Sequence, residues 1–90
     1  MKFRVFVSYP MSAFGSVDEG LLATDAKKFG GREWGSGAGL GRRDLDYGDF
    51  TDENKAEDFA MHARGIHKEA DAWVEFDEDS ELDWGDDYDE

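Results

Sequence analysis

The chain opens on an alternation of apolar and polar positions. Phe3, Val5, Val7 and Tyr9 fall at every second place, with Lys2, Arg4 and Ser8 between them, which is the period of a strand with one buried face. Only Phe6 breaks the pattern. Residues 10 to 15 contain Pro10 and Gly15 and predict a turn-rich connection. Ser16 and Glu19 have the spacing of a capping box. Leu22, Ala26 and Phe29 then recur at i, i+4 and i+7, which predicts a helix ended by Gly30-Gly31 and weakened by Gly20.

Residues 34 to 41 also have a period of two, but one set of positions is bare. Gly35, Gly37, Gly39 and Gly41 share one face and Trp34, Ser36, Ala38 and Leu40 the other. Glycine is costly in a strand, so this face implies close approach of a helix or a partner's backbone, or else a flexible loop with fortuitous spacing. Arg43, Leu45 and Tyr47 next alternate with Arg42, Asp44 and Asp46, and the two segments predict a hairpin.

Thr51, Asp52 and Glu53 form a helix start, with a capping hydroxyl and two negative charges at the positive end of the dipole. Ala56, Phe59, Ala60, Ala63 and Ile66 make one apolar stripe that ends near Gly65. From Ala70 the period returns to two. Ala72, Val74 and Phe76 are expected to face the core, and Asp71, Trp73, Glu75 and Asp77 to face out. Glu78 to Glu90 has no apolar period and only Leu82, Trp84 and Tyr88 as large apolar groups, which predicts an extended or disordered acidic tail.

The order strand, helix, strand, strand, helix, strand predicts an α+β domain over residues 1–77, followed by the acidic C-terminal tail at 78–90. The expected architecture is ferredoxin-like: a four-stranded antiparallel sheet with two helices on one face. An alternative keeps the sheet and the second helix but leaves residues 10 to 31 irregular.

Ninety residues allow one domain with a small core. Cysteine is absent, which removes disulfides, thiolate metal ligands and cysteine nucleophiles, and fits a reducing compartment. The apolar start is broken by Arg4, no cleavage-site pattern follows it, and no stretch approaches membrane-spanning length. A cytoplasmic protein without a membrane role is therefore expected.

Charge changes the picture most. The net charge is −13, and it is unevenly placed. Met1 to Lys68 holds 11 acidic and 10 basic residues, whereas Glu69 to Glu90 holds 12 acidic residues and no Lys or Arg. Such a potential repels nucleic acid and anionic lipid and steers basic surfaces toward it. The expected partner is a basic nucleic-acid-binding protein or complex, with no direct nucleic-acid contact.

Candidate chemistry is sparse, and no enzyme is expected. Nucleophilic catalysis needs a positioned base, and the two histidines, His62 and His67, are five apart, off the i, i+4 spacing of a helical metal pair. The glycine run lacks the third Gly of a dinucleotide fingerprint, since Leu40 and Arg42 stand near its place. Lys27, Lys28, Arg32, Arg42 and Arg43 could bind an anion, dock the acidic tail or simply solubilise one edge. Asp77, Asp79, Glu81 and Asp83 alternate as calcium-loop ligands do, but Leu82 replaces the turn glycine and the final Glu is missing. No cofactor or metal is expected.

The sharper reading of the acidic segment is nucleic-acid mimicry. An extended chain rises roughly 3.3 Å per residue and a DNA strand carries one charge per roughly 3.4 Å, so carboxylates at every one or two positions approach phosphate density. Asp71, Glu75, Asp77, Glu78, Asp79, Glu81, Asp83, Asp86 and Asp87 would pair with Arg or Lys of a groove. Trp73, Trp84 and Tyr88 would act as anchors or occupy base-stacking positions. The plainer reading is a solvating tail whose aromatic groups pack back on the body.

In size, absence of cysteine and the acidic segment from Glu69 to Glu90, the chain resembles the small acidic phage-type inhibitors known as DNA mimics, and in particular anti-CRISPR proteins. The resemblance implies an inhibitor in the host cell cytoplasm that blocks the DNA-binding surface of a CRISPR-Cas surveillance complex. Near-balanced charge before Glu69 departs from mimics that are acidic all over. The competing expectation is a small ferredoxin-like binding or scaffold module whose tail serves solubility, with function in the sheet face or the glycine hairpin.

Overall fold

In the computed structural model, residues 2–77 are described. The initial alternation forms β1 (Phe3–Pro10), and Phe3, Val5, Val7 and Tyr9 are all buried. A short 3-10 turn (Met11–Ala13) leads to α1 (Glu19–Lys28). The hairpin is β2 (Arg32–Gly39) and β3 (Arg42–Phe50), joined by Leu40 and Gly41. Both loop residues have positive φ, 53° and 78°, the requirement of a tight turn whose twist matches the flanking strands. The last described elements are α2 (Glu53–Arg64) and β4 (Asp71–Phe76).

The strands form one antiparallel sheet in the order β2-β3-β1-β4. Leu22 and Ala26 of α1 and Ala56, Phe59, Ala60 and Ala63 of α2 share one buried cluster with Val5, Val7, Tyr9, Leu45 and Tyr47. Both helices therefore close the same sheet face. Phe59 is the hub: its ring lies 4.9 Å from Tyr47, 5.7 Å from Phe50 and 5.8 Å from Phe29 between centroids.

The helix starts differ from the expected ones. Asp18, not Ser16, caps α1 by accepting the Leu21 N–H at 2.9 Å, and Asp52, not Thr51, caps α2 by accepting the Asn54 N–H at 2.9 Å. Glu19 does not complete a capping box, because Arg43 and Tyr9 engage its carboxylate.

The stretch from Ala72 to Asp77 also departs from strict alternation. Ala72 is buried and Val74 is partly buried, but Phe76 is 41% exposed at the sheet edge, its ring edge-on to Phe3. Asp77, expected to face out, is only 4% exposed, and its N–H donates to the Lys2 carbonyl at 2.9 Å. The period of two stops applying once β4 ends at Phe76.

Candidate functional site

The sheet face away from the helices brings exposed aromatic and charged groups together. Residues paired across antiparallel strands share a face. The register therefore aligns Gly35, Asp46, Phe6 and Trp73 in one transverse row, and Gly37, Asp44, Ser8 and Asp71 in the next. Arg4 pairs with Glu75 beside the first row.

Two bulges shape this face. One falls between Glu33 and Gly35 and adds Trp34 to β2; the other sets Gly48 and Asp49 of β3 against β1 between Phe3 and Val5. The Trp34 indole lies on Gly48 so closely that any Cβ there would overlap the ring. That approach brings Trp34 to Arg4, whose guanidinium sits 4.8 Å from the Trp34 ring centroid and 4.8 Å from that of Phe6. Phe6 in turn stacks on Trp73, with centroids 5.8 Å apart and planes inclined by 23°. A continuous row of Trp34, Arg4, Phe6 and Trp73 thus crosses the sheet, held by cation–π and stacking contacts. Trp34 and Trp73 stay 40% and 39% exposed.

Charge on this face is almost balanced: Lys2, Arg4, Arg32 and Arg42 stand against Asp44, Asp46, Asp49, Asp71 and Glu75. Arg4 pairs with Asp46 at 3.5 Å, and Asp49 pairs with Arg32 and, at 3.6 Å, with Lys2. The Arg32 guanidinium hydrogen-bonded to Asp49 holds its carboxyl below the ordinary range. Arg42 donates to Ser8 Oγ at 2.7 Å and to the Glu69 carbonyl at 3.4 Å.

The sequence-derived site is brought together only in part. Asp71, Trp73 and Glu75 lie exposed along β4, an edge strand of the sheet. Trp73 Nε1–H donates to Glu75 Oε2 at 2.9 Å, and Asp71 accepts the Ala72 N–H at 2.8 Å. Their carboxylates are four residues apart, roughly 13 Å along a strand, much sparser than phosphates. Asp77 is buried and leaves this set. Glu78, Asp79, Glu81, Asp83, Trp84, Asp86, Asp87 and Tyr88 lie outside the described residues, as does the tail they form.

The basic cluster is dispersed. Lys28 pairs with Asp25 at 3.8 Å, Arg32 with Asp49, and Arg43 with Glu19 through two contacts of 2.9 Å, while Arg42 turns to the opposite face from Arg43. The alternation of β3 separates the two adjacent arginines. Arg43 holds the Glu19 carboxyl below its ordinary value, whereas burial and the bond to Glu19 push the Tyr9 hydroxyl up to about 12.

Glycine has two different roles here. Gly31 and Gly48 are needed because the Phe50 and Trp34 rings press on them. Gly35, Gly37 and Gly39 have no neighbour among the described residues within 4 Å of an added Cβ. Among the described residues no helix covers the bare strip, so neither α1 nor α2 is the reason for it.

No protein-family model matches the chain, and no curated protein matches its sequence. Its chemistry therefore rests on its own residues. A cleft of about 250 Å³ between the helices is lined by Val17, Leu21, Leu22 and Ile66, with His62 Nε2 2.7 Å from Asp25 Oδ2 at its wall. The His62–Asp25 contact ties α1 to α2, and Ser16, which lines the same cleft, makes no hydrogen bond to His62 among the described residues. Among the described residues no group of three or more His, Asp or Glu side chains could hold a metal, and no helix is long and apolar enough to cross a membrane.

Sequence reasoning missed Trp34, Arg4 and Phe6 as members of one surface. Phe6, the single residue that interrupts the first alternation, was the available signal.

Proposed function

We propose that the protein is a non-enzymatic inhibitor that presents an acidic surface to the nucleic-acid-binding groove of a basic partner, with a CRISPR-Cas surveillance complex as the target class implied by resemblance. The observation that carries this reading is the charge partition: 12 acidic and no Lys or Arg residues from Glu69 to Glu90, against near balance before them. A partner's Arg and Lys side chains would pair with these carboxylates in place of phosphates. The element order and the strand order β2-β3-β1-β4 support a ferredoxin-like reading of the body that displays the segment. Phosphate-like charge density must come from the residues after Asp77, because β4 supplies only Asp71 and Glu75 with Trp73 between them.

The test is competition in the cytoplasmic setting this reading assumes. Pure protein is titrated against DNA-bound RNA-guided complexes at several salt concentrations, beside a chain truncated after Glu78. Displacement that needs the segment and weakens with salt is expected; displacement by the truncated chain would remove the segment's role, and no displacement would remove the inhibitor reading.

A second reading is favoured by the row of Trp34, Arg4, Phe6 and Trp73: a binding or scaffold module that works through its open sheet face and uses the acidic segment for solubility. Substituting Trp73 would then abolish partner binding while truncation after Glu78 would leave it intact.

A further inference from the structure

We infer that two copies of this chain pair face to face through the open side of the sheet, about a twofold axis parallel to the strands, with Trp73 of each copy seated on the glycine strip of the other. This goes beyond the inhibitor reading and does not depend on it.

The starting point is a cost without a return among the described residues. Gly35, Gly37 and Gly39 weaken β2 as a strand, have no positive φ that demands glycine, and meet no described neighbour. Among the described residues the strip is open space at one edge of the sheet. At the other edge, in the same transverse row as Gly35, stands exposed Trp73.

A twofold axis along the strands exchanges the two edges and keeps the rows level, so β2 of one copy lies over β4 of the other. Trp73 then meets Gly35, and Asp71 meets Gly37. Packed sheets lie about 10 Å apart, a gap that one indole fills when the facing residue has no side chain. The same operation sets β3 over β1 and brings Asp44 opposite Ser8, to which Arg42 is hydrogen-bonded. Each copy thus offers a side chain for the other's bare position at Trp73 and Gly35, and opposite charges at Asp44 and Arg42, the reciprocal pairing an isologous contact requires.

Charge selects this face for a second copy. The chain carries −13, and two such molecules repel except where carboxylates are balanced by cations, as they are here. A basic partner would gain little from that balance. The footprint of four strands by eight residues is roughly 500 Å² per copy, below the roughly 800 Å² per partner of a standard stable interface, so the dimer is weak and concentration-dependent. In it Asp71, Trp73 and Glu75 face the second copy, and a basic target reaches the chain through the residues after Asp77.

The test is sedimentation velocity of the full chain over a wide concentration range, at about 0.05 M and about 0.5 M salt. A monomer–dimer equilibrium is expected, strengthened by salt because screening relieves the repulsion, the opposite sign from binding a basic target. Gly37→Val should weaken the dimer about tenfold or more while leaving the melting temperature unchanged or raised, since the monomer has room for the side chain. Trp73→Ala should weaken it similarly. A chain that stays monomeric at all concentrations, a dimer weakened by salt, or a dimer untouched by Gly37→Val overturns the proposal, whatever the DNA competition shows.

Discussion

The covered and open faces of the sheet come from the same four strands, yet they satisfy their side chains by opposite means. On the covered side, apolar groups of β1, β3 and β4 close against two helices around Phe59, and the Tyr9, Glu19 and Arg43 network borders the core. On the open side, Trp34, Arg4, Phe6 and Trp73 stack on one another and leave part of each indole to solvent. The covered face holds the fold, because area removed from water is the dominant favourable term. The open face contributes less to folding, because its ion pairs are partly hydrated. Its two indoles therefore remain partly exposed to solvent.

The largest break in this comparison is expected from Phe59→Ala, which removes the ring that touches Tyr47, Phe50 and Phe29. A loss of about 3–5 kcal/mol in urea unfolding is expected. A loss below about 1 kcal/mol would mean that the helices do not carry the core. Gly48→Val asks how far the open face matters to folding, since the new side chain must expel Trp34. About 1–3 kcal/mol of destabilisation is expected, together with a red shift of tryptophan emission as the indole leaves Arg4.

Titration separates the faces further. Tyr9, whose pKa is raised from 10.0 to about 12, adds stability that is fully present below pH 10.0 and is lost as the pH rises toward about 12. Tyr9→Phe should flatten that alkaline loss in thermal melts. At the acid end, Glu19 on the covered side and Asp49 on the open side both have lowered pKa values. Their contributions are present above the ordinary values of 4.5 and 3.8 and disappear as the pH falls through the lower folded ones. Glu19→Gln should remove more of the acid-dependent change than Asp49→Asn, because Glu19 is held by two Arg43 contacts and Tyr9.

The smallest effect is expected from Tyr47→Phe. The Tyr47 hydroxyl is buried with no hydrogen-bond partner among the described residues, and burial pushes its pKa up. Removing a hydroxyl that makes no bond should change stability by no more than about 1 kcal/mol, in the stabilising direction. A large loss in chemical denaturation would show that the hydroxyl is bonded after all.

The sequence made the strands and the two helices legible because their signals are local. Alternation in residues 3 to 9 and 42 to 48, and the stripe from Ala56 to Ala63, follow from backbone periods that each segment carries alone. The helix starts slipped by one or two residues because Asp18 and Asp52 outcompete neighbouring hydroxyls, and because Arg43, 24 residues away, takes the carboxylate expected to complete a capping box. The dispersal of the arginines followed from the strand period, but their individual partners did not. Trp73 was legible as an outward residue. Its junction with Phe6, Arg4 and Trp34 was not, because four residues on three strands meet only after register and two bulges are set.

By itself the sequence determined most of the residues that face the core, the order and approximate extent of the strands and helices, and that the negative charge gathers after residue 68. Those are properties of composition and of one- or two-turn geometry. The tertiary structure alone decided that β1 lies between β3 and β4, that Trp34 rests on Gly48, and that the bare glycine strip and Trp73 occupy opposite edges of one row. Such neighbours are distant in sequence, and only closure of the whole sheet, with its bulges in place, brings them level.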